Sequence, residues 1–293
     1  MHNEPRAQLE PALYVVATPL GNLRDITLRA LDVLQSVDAV AAEDTRLTRQ
    51  LLSHYEIRAR LIAIHQHNEA ASAEGIVQLL SEGRSVACVT DAGTPAISDP
   101  GALLVRRVSD AGHRVIPVPG PSALIAALSA AGISAPHFLF YGFLPSKSSA
   151  RRDALARLAP LNFALVFYEA PHRVTQTLQD MAETFGQDRE LVIARELTKV
   201  FESFHRCRLG DAVGWIAQDP NRTRGEFVLI VQGAQEDVDT QNAQAERVLE
   251  ILLRSLPVSQ AVAIAAEISG RKKNALYERA LAFKKAMDSG DPG

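Results

Sequence analysis

Charged side chains follow three apolar runs of this sequence at the point where each run ends. The segments are Glu43 to Arg46, Glu169 to Arg173 and Arg195 to Lys199. Carboxylate, imidazole and amine groups can accept or donate a proton, and guanidinium groups can hold an anion. Ion pairing inside each segment is the simpler alternative, because every segment holds both signs of charge. The three segments are therefore candidates for proton chemistry or for binding an anionic partner.

A fourth segment, Asp91 to Gly101, is notable for residues that set the backbone conformation. It contains two prolines, which fix φ, and two glycines, which allow conformations that a Cβ would forbid. Because the apolar run Val86 to Val89 precedes it, we expect a buried strand that ends in a loop of fixed shape. Open α/β sheets bind ligands at the carboxyl ends of their strands, so this loop is predicted to line a binding site. Asp99 precedes a helical pattern and is expected to cap that helix.

Short apolar runs alternate with helical patterns along the chain, and these strands and helices would position the segments. Such alternation predicts βαβ units with right-handed crossovers and a mainly parallel sheet. The carboxyl ends of parallel strands meet at one edge, so the segments after the strands should line a single crevice. In the first half of the chain these segments are 18–22, 43–46, 65–69, 91–101 and 119–122. Neither the glycine pattern of a Rossmann dinucleotide site nor that of a P-loop occurs among them.

We predict an α/β fold, in which two α/β domains with a cleft between them precede a small helical domain. The predicted boundaries are 11–121 for the N-terminal domain, 122–234 for the second domain and 240–293 for the helical tail. Residues 234–243 are rich in Gln, Asp and Asn, which is typical of a linker. In the tail, Gly270 separates two helical patterns as in a helix-turn-helix, and a plain helical hairpin is the alternative.

Composition restricts the class of protein. With 47% hydrophobic and 22% charged residues the chain is typical of a globular protein, and no apolar run reaches the roughly 18 residues of a membrane span. We therefore expect a cytoplasmic protein without a membrane segment.

The net charge is −3, so a polyanion would have to bind local basic clusters, although such clusters are most often solvated faces. The clusters are Lys147, Arg151 and Arg152, and Arg271, Lys272 and Lys273.

Metal and disulfide chemistry are not predicted. Cys88 and Cys207 are far apart in the sequence and form no CxxC pair. His65 and His67 are alternate residues, so in an extended segment their side chains point to opposite faces rather than toward one ion. The site should therefore work without a metal.

Six of these motifs, in this order, resemble the ribosomal RNA small subunit methyltransferase I family of the tetrapyrrole-methylase superfamily. The motifs are Thr18 to Leu23, Ala42 to Arg46, Asp91 to Gly101, Pro119 to Ser122, Tyr168 to Arg173 and Arg195 to Lys199. The resemblance runs from about Leu13 to Gln232 and continues into the C-terminal helices. Each motif alone would be weak, but the six together are specific.

The resemblance implies an S-adenosylmethionine-dependent enzyme. The implied reaction is methylation of the ribose 2′-oxygen of a cytidine in the decoding centre of 16S rRNA, within the small ribosomal subunit. The resemblance also implies the two-domain tetrapyrrole-methylase fold with the cofactor in the cleft, and a homodimer.

Carried over position by position, the resemblance assigns the cofactor contacts to the loops at strand ends. These residues are Pro19, Leu20, Gly21, Asp91, Gly93, Thr94, Pro95, Ile97, Ser122, Ala123 and Tyr168. Where the wider superfamily has Gly-Asp-Pro, this chain has Gly93-Thr94-Pro95, so an acidic ribose contact is absent at position 94. Asp91 is a candidate to replace it.

Methyl transfer to a hydroxyl benefits from a base that removes the proton of that hydroxyl. The candidates at the crevice are Lys199, Glu196, Glu169, His172 and Glu43. We assign the role to Lys199, with Glu196 as the second catalytic candidate, because desolvation and a nearby sulfonium would both lower the pKa of the amine. A surface lysine or a phosphate contact is the alternative for Lys199.

Basic residues are assigned to the RNA. The predicted contacts with phosphate or ribose are Arg46, His172, Arg173, Arg271, Lys272 and Lys273. For Arg46 and Arg173, ion pairs with Asp44 and Glu169 are the alternative.

Two other functions compete with rRNA methylation. One is methylation of a small molecule such as a tetrapyrrole, against which the cluster of Arg46, Arg173 and Lys199 argues. The other is a non-catalytic RNA-binding assembly factor, which turnover of the cofactor on small-subunit particles would exclude.

Overall fold

The computed structural model describes residues 9–64, 69–235 and 238–288. The chain divides into two compact units, residues 1–233 and residues 234–293. The first unit contains two sheets with their helices, and the second contains helices. His65 and His67, which were not expected to share a metal ion, lie outside the described residues.

The first sheet of the larger unit is parallel throughout. Its strands are Leu13–Val16 (β1), Ala39–Ala42 (β2), Arg60–Ala63 (β3), Val86–Val89 (β4) and Val115–Val118 (β5). They lie in the order β3-β2-β4-β1-β5, and every pairing between neighbours is parallel. The predictions of a parallel sheet and of strand ends at a single edge are therefore confirmed.

Helices cover both faces of this sheet because the buried strands are apolar at successive positions. The helices are Leu28–Ser36 (α1), Thr45–His54 (α2), Glu69–Ser81 (α3) and Ala102–Asp110 (α4). Val40 of β2 joins the cluster that contains Leu34 of α1, whereas the next residue, Ala41, joins the cluster that contains Ile76 of α3. Alternate strand residues thus bury against opposite layers, as in other doubly wound sheets.

The second sheet is mixed. Its strands are Phe138–Phe143 (β6), Ala164–Glu169 (β7), Glu190–Arg195 (β8), Ser203–Arg208 (β9) and Phe227–Val231 (β10). The order is β6-β7-β10-β8-β9, with β6 and β7 parallel and the other neighbours antiparallel. The sequence did not predict β9, because this edge strand alternates exposed and half-buried residues and contains no continuous apolar run.

Helices also flank the second sheet on both sides. They are Ala123–Ala131 (α5), Ser148–Leu158 (α6), Val174–Phe185 (α7) and Leu209–Ala217 (α8). Ala127 of α5 packs on one face, and α6, α7 and α8 share the cluster on the other face with Phe167. The described residues of the larger unit also form two short 3-10 helices, Leu23–Asp25 and Pro220–Thr223.

The prediction that Asp99 caps α4 is wrong. The helix is capped at Gly101 rather than at Asp99, and no side chain at the cap position makes a hydrogen bond. Instead, Oε1 of Glu69 accepts hydrogen bonds of 3.0 to 3.2 Å from the amides of Gly101, Leu103 and Leu104. A carboxylate from α3 therefore satisfies the free amides of α4, which leaves the side chain of Asp99 available elsewhere.

The smaller unit is helical over its described residues. Its helices are Val238–Leu253 (α9), Val258–Ser269 (α10) and Lys273–Asp288 (α11). Leu249, Ala261 and Leu276 bring the three helices into one apolar cluster. Gly270, with φ of +67°, ends α10 in the left-handed conformation that glycine adopts without strain. The predicted fold class, two α/β parts followed by a helical tail, is confirmed.

Across the described residues, no helix combines the length and the apolar character that a membrane crossing requires.

Candidate active site

A cavity of about 400 Å³ opens where the carboxyl ends of the first sheet face the second sheet within the larger unit. Small-molecule sites usually enclose roughly 300 to 1,000 Å³. Most of the predicted cofactor residues lie in its wall, namely Leu20, Asp91, Gly93, Thr94, Ile97, Ser122, Ala123 and Tyr168. The other three, Pro19, Gly21 and Pro95, adjoin wall residues in sequence but are not themselves in the wall.

Hydrogen bonds tie together the loops that follow β1, β4 and β5. The backbones of Thr18 and Gly93 exchange two bonds of 2.9 and 3.0 Å, and the Thr18 hydroxyl donates to the carbonyl of Thr90. The hydroxyl of Thr94 donates to the carbonyl of Pro121 at 3.0 Å. At the position where the superfamily has an acidic residue, this chain therefore links two loops of the cavity wall.

Strained backbone is concentrated in two loops of the cavity. Among the described non-glycine residues, positive φ values occur at Ala96, Ser98, Glu196, Thr198 and Glu56. The first two belong to the loop after β4, and the next two belong to the loop after β8. Because a left-handed conformation is unfavourable for residues with a Cβ, it persists only where the surroundings impose it, often at a functional site.

The charge of the cavity wall is strongly one-sided. The carboxyl groups in the wall belong to Glu43, Asp91, Asp99, Glu169 and Glu226. The wall contains no Lys, Arg or His from the described parts of the chain. Since charges of one sign lining a cleft raise the local potential, the cavity favours a ligand that carries positive charge.

Asp99 has the most unusual environment of these carboxyl groups. Burial is the largest cause and raises the pKa of Asp99. A hydrogen bond with Thr90 opposes this effect, and the nearby carboxylates of Glu43 and Asp91 add to it, so that the pKa is about 6. The hydroxyl of Thr90 also donates to Oε2 of Glu43 at 2.8 Å. Sequence reasoning missed this side chain as a site residue, because it was expected to cap α4.

Tyr168 forms the apolar side of the cavity. Its hydroxyl accepts a hydrogen bond of 3.0 Å from the amide of Leu124, in the first turn of α5. Its ring makes edge contacts with Phe140 and Phe143 at centroid distances of 4.8 and 5.7 Å. The burial produced by this packing raises the pKa of the Tyr168 hydroxyl. The residue is therefore fixed as part of the wall.

Lys199 does not have the lowered pKa that its predicted role as a base requires. Its Nζ donates to Glu196 at 2.9 Å and to Glu226 at 3.0 Å. Burial lowers the pKa of Lys199, but the hydrogen bonds and charges of these two carboxylates outweigh burial, and the net pKa is raised. Both carboxylates therefore favour the charged form of the amine. Gly21 is necessary for this arrangement, since a Cβ there would overlap Cγ of Lys199.

Glu196 is also poorly placed to accept a proton. Burial raises its pKa, but the hydrogen bonds from Lys199 and from the amide of Glu226 together lower it below the usual value. The amide of Glu226 donates to Oε1 of Glu196 at 3.0 Å. A carboxylate that already accepts these bonds is a weak base.

The predicted RNA contacts divide into exposed and buried groups. Arg173 pairs with Glu169 at 3.2 Å, and its side chain is only 18% exposed, which favours the alternative of an ion pair over the predicted contact with RNA. Arg46 also forms an ion pair, with Asp44 at 2.7 Å, but 84% of its side chain remains exposed. His172 is exposed, so it and Arg46 remain candidates for RNA binding.

The predicted basic cluster of the tail lies at one helix end. Arg271 and Lys272 follow α10, and Lys273 is the first residue of α11. Lys272 and Lys273 are exposed, and Arg271 is half-buried. Cations at this end of a helix are accessible to a phosphate that also meets the free amides of the first turn.

Groups of His, Cys, Asp and Glu that could hold a metal ion do not occur among the described residues.

Two family models match the chain. The model described as Tetrapyrrole (Corrin/Porphyrin) Methylases matches residues 12–213, and the RsmI C-terminal HTH domain matches residues 239–284. A protein of Escherichia coli named ribosomal RNA small subunit methyltransferase I is 51% identical, with 92% of this chain and 94% of that protein covered. A protein of the same name from Neisseria meningitidis is 50% identical, covering 93% of this chain and 94% of that protein.

Solved structures of low identity share the fold of the larger unit. A cobalt precorrin-4 methyltransferase of cobalamin biosynthesis has a TM-score of 0.59 at 17% identity, covering 76% of this chain and 95% of its own. The uroporphyrin-III-C-methyltransferase of Thermus thermophilus has a TM-score of 0.55 at 22% identity, covering 76% and 94% of the two chains. At these identities the likeness concerns the fold alone.

The pKa of Asp99 predicts a pH-dependent cost to stability. Since the pKa of this group is 3.8 in the unfolded chain and about 6 in the folded protein, the folded state binds the proton more tightly. The favourable contribution of Asp99 is therefore full below about 3.8 and is lost as the pH rises through about 6. Asp99→Asn should be more stable than the wild type above this range, by on the order of 1 kcal/mol after allowance for solvent screening.

Denaturant unfolding at a series of pH values measures this difference. The gap between Asp99→Asn and wild type should widen as the pH is raised across the range and then stay constant. Parallel stability curves for the two proteins would contradict the assignment.

Proposed function

Because the chain belongs to the ribosomal RNA small subunit methyltransferase I family, we propose that it transfers a methyl group from S-adenosylmethionine to 16S rRNA. The observation that carries the proposal is the carboxylate-lined cavity between the two sheets. The acceptor we propose is the ribose 2′-oxygen of a cytidine in the decoding centre, as the motif resemblance implies.

The residues of the cavity fit S-adenosylmethionine, which when bound supplies a methyl group on a sulfonium cation. Glu43, Asp91 and Asp99 form no ion pair within the described chain, so their charges are available to the sulfonium and to the ammonium of the cofactor. Leu20 and Tyr168 offer apolar surface to the adenine. The hydrogen-bonded loops after β1 and β4 hold Leu20, Asp91 and Asp99 in fixed positions.

A small-molecule acceptor such as a tetrapyrrole is the second candidate. The shared fold with tetrapyrrole methyltransferases favours it, but a fold hosts many reactions. Two observations favour RNA instead. Relatives of about half identity carry the rRNA methyltransferase name, and the tail matches a helix-turn-helix model.

The proposal includes the cellular setting. The substrate would be 16S rRNA within the small ribosomal subunit, which places the enzyme in the cytoplasm. The proposed enzyme is a homodimer, and Val200 and Phe201, with 93% and 70% of their surfaces exposed next to the edge strand β9, suit a surface that a second copy covers. Sedimentation equilibrium of the full chain tests the oligomeric state.

The reaction itself can be tested on small subunits purified from cells that lack this modification. Incubation with methyl-labelled S-adenosylmethionine and a chelator should yield 2′-O-methylcytidine, at one per particle, after digestion to nucleosides. Thr94→Arg should abolish the product, because a bulky cation in the cavity wall excludes and repels the sulfonium. Label on a base, or label only on a tetrapyrrole, would contradict the proposal.

Lys199 is expected to act as a fixed charge rather than as the base. Lys199→Arg should therefore keep its single-turnover rate within about tenfold, whereas Lys199→Met should lose more because it leaves Glu196 and Glu226 without a cation. Single-turnover methylation at saturating cofactor measures both variants. A loss on the order of 10² to 10⁴ in the arginine variant, with cofactor and RNA affinities retained, would restore the role of general base to Lys199.

RNA binding by the tail is expected to depend on its exposed lysines. Removing one lysine–phosphate pair should reduce the slope of log affinity against log salt by about 0.7 to 0.9, so Lys272→Ala with Lys273→Ala should flatten the slope. The control is Arg106→Ala with Arg107→Ala on α4, which removes the same charge from exposed positions of the other unit. Filter binding at several salt concentrations measures the slope, and equal slopes for the two double variants would assign Lys272 and Lys273 to solvent.

A further inference from the structure

Methyl transfer to one ribose of a long RNA requires that the enzyme hold a single nucleoside in place. The carboxylates of the cavity wall repel phosphate groups, and the described wall contains no cation that would bind them. The nucleoside is therefore better held here through its uncharged parts. We propose that the ring of Phe143 stacks on the base of the nucleoside to be methylated and so directs its ribose toward the cavity. The inference rests on the proposed function, because it names how that same site holds its RNA.

Phe143 is an aromatic residue of the cavity wall that is open to solvent. It is the last residue of β6, and 51% of its surface is exposed. The other aromatic residues of the described wall, Tyr168 and Phe227, are half-buried and buried. The rings of Phe143 and Tyr168 meet at 66° with their centroids 5.7 Å apart, so this contact covers at most one face of the Phe143 ring. The exposed half of Phe143 is available to a planar partner at the opening of the cavity.

A bulge in β6 gives Phe143 this orientation. Between Phe140 and Gly142, β6 contains one more residue than the neighbouring strand β7. Successive residues of a strand point to opposite faces, so a regular β6 would bring Gly142 to the face occupied by Phe140. The extra residue brings Phe143 there instead, and both phenylalanine rings contact the ring of Tyr168. Bulges often lie next to active sites, where they redirect a side chain.

Contacts on both sides of Phe143 hold it in place. Gly142 is buried with φ of +79°, and a Cβ there would lie 2.8 Å from Oγ of Ser98, in the loop after β4. Glycine therefore permits both the bulge and the close approach of that loop. On the other side, the carbonyl of Leu144 accepts a hydrogen bond of 2.5 Å from the guanidinium of Arg173. A ring that is already fixed loses little conformational freedom when a base stacks on it.

A nucleobase suits this environment because its face is planar and uncharged. Proteins commonly hold the splayed bases of single-stranded RNA by stacking them on aromatic side chains. The carboxylates of the wall would oppose a phosphate contact but do not oppose such a stack. Because every base has a π-face, stacking tolerates any base. Phe143 would therefore position the nucleoside without selecting cytosine.

Phe143→Leu tests the inference, because leucine keeps an apolar side chain against Tyr168 and lacks a ring. At saturating S-adenosylmethionine and subsaturating small subunits, its methylation rate should fall by a factor of about 5 to 150, the range expected for one base–aromatic stack. Phe143→Tyr, which restores a ring, should recover most of the rate. Phe138→Leu is the matched control and should keep the wild-type rate, since Phe138 is 48% exposed on the same strand but lies outside the cavity wall.

Removal of the base from the acceptor nucleoside separates a stacking role of Phe143 from a structural one. Small subunits can be reconstituted with 16S rRNA that carries an abasic ribonucleoside at the acceptor position, which keeps the 2′-hydroxyl and both phosphates. Wild-type enzyme should lose rate on these subunits. Phe143→Leu should lose less, by about the factor that the substitution costs on subunits with the base, because ring and base form one contact. If the ring acted only on the fold or on the cofactor, the two losses would multiply instead.

Three results would overturn the inference. A fall of less than about fivefold for Phe143→Leu on subunits with the base would be smaller than one stack contributes. Equal losses for wild type and Phe143→Leu on the abasic subunits would show that ring and base act independently. A calorimetric Kd for S-adenosylmethionine that weakens in Phe143→Leu, with an unchanged rate at saturating cofactor, would make Phe143 a cofactor contact.

Failure of the proposed function is distinguishable from these results. Wild-type enzyme that binds S-adenosylmethionine but methylates no RNA hydroxyl on subunits with the base would remove the proposed function and the inference with it. The wild-type reaction alone shows this outcome, whereas the three results above require an active wild type.

Discussion

Negative charge in a partly enclosed cavity is the constraint on which the site depends. Five carboxyl groups converge where the strands of two sheets end, and the described wall contains no cation of its own. Carboxylates in such a place must be compensated by a proton, by a neighbouring cation outside the wall, or by a cationic ligand. Glu169 and Glu226 are compensated by the neighbouring cations Arg173 and Lys199. The raised pKa of Asp99 reflects compensation by a proton. A sulfonium cofactor would be the cationic ligand.

The framework of the first sheet could be predicted from the sequence because its physical signals are local. Buried parallel strands read as short apolar runs such as Val86–Val89, and proline with glycine marked the loop that follows. The edge strand Ser203–Arg208 could not be predicted in this way. One of its faces is exposed, and charged residues interrupt its apolar pattern. Its place in the sheet depends on pairing with Glu190–Arg195, which is a tertiary contact.

The side chains of the site were harder to predict than the loops that hold them. Asp99 had the sequence position of a helix cap, and only the structure places Glu69 across the same amides. Lys199 had a plausible neighbourhood for a lowered pKa, but its pairing with Glu226 depends on a residue 27 positions away in the chain. Arg173 is a similar case, since its burial follows from packing against the chain at Leu144. Contacts with distant residues such as Leu144 and Glu226 complete these environments, and sequence spacing does not encode those contacts.

The central claim is that the cavity between the two sheets is the site of S-adenosylmethionine. A crystal structure of the full chain with this cofactor and a short RNA containing the acceptor cytidine tests the claim most directly. We expect the cofactor between the loops after β1 and β4, with its adenine against Leu20 or Tyr168 and its positive charges facing the carboxylates of the cavity wall. Cofactor bound outside this cavity would contradict the claim.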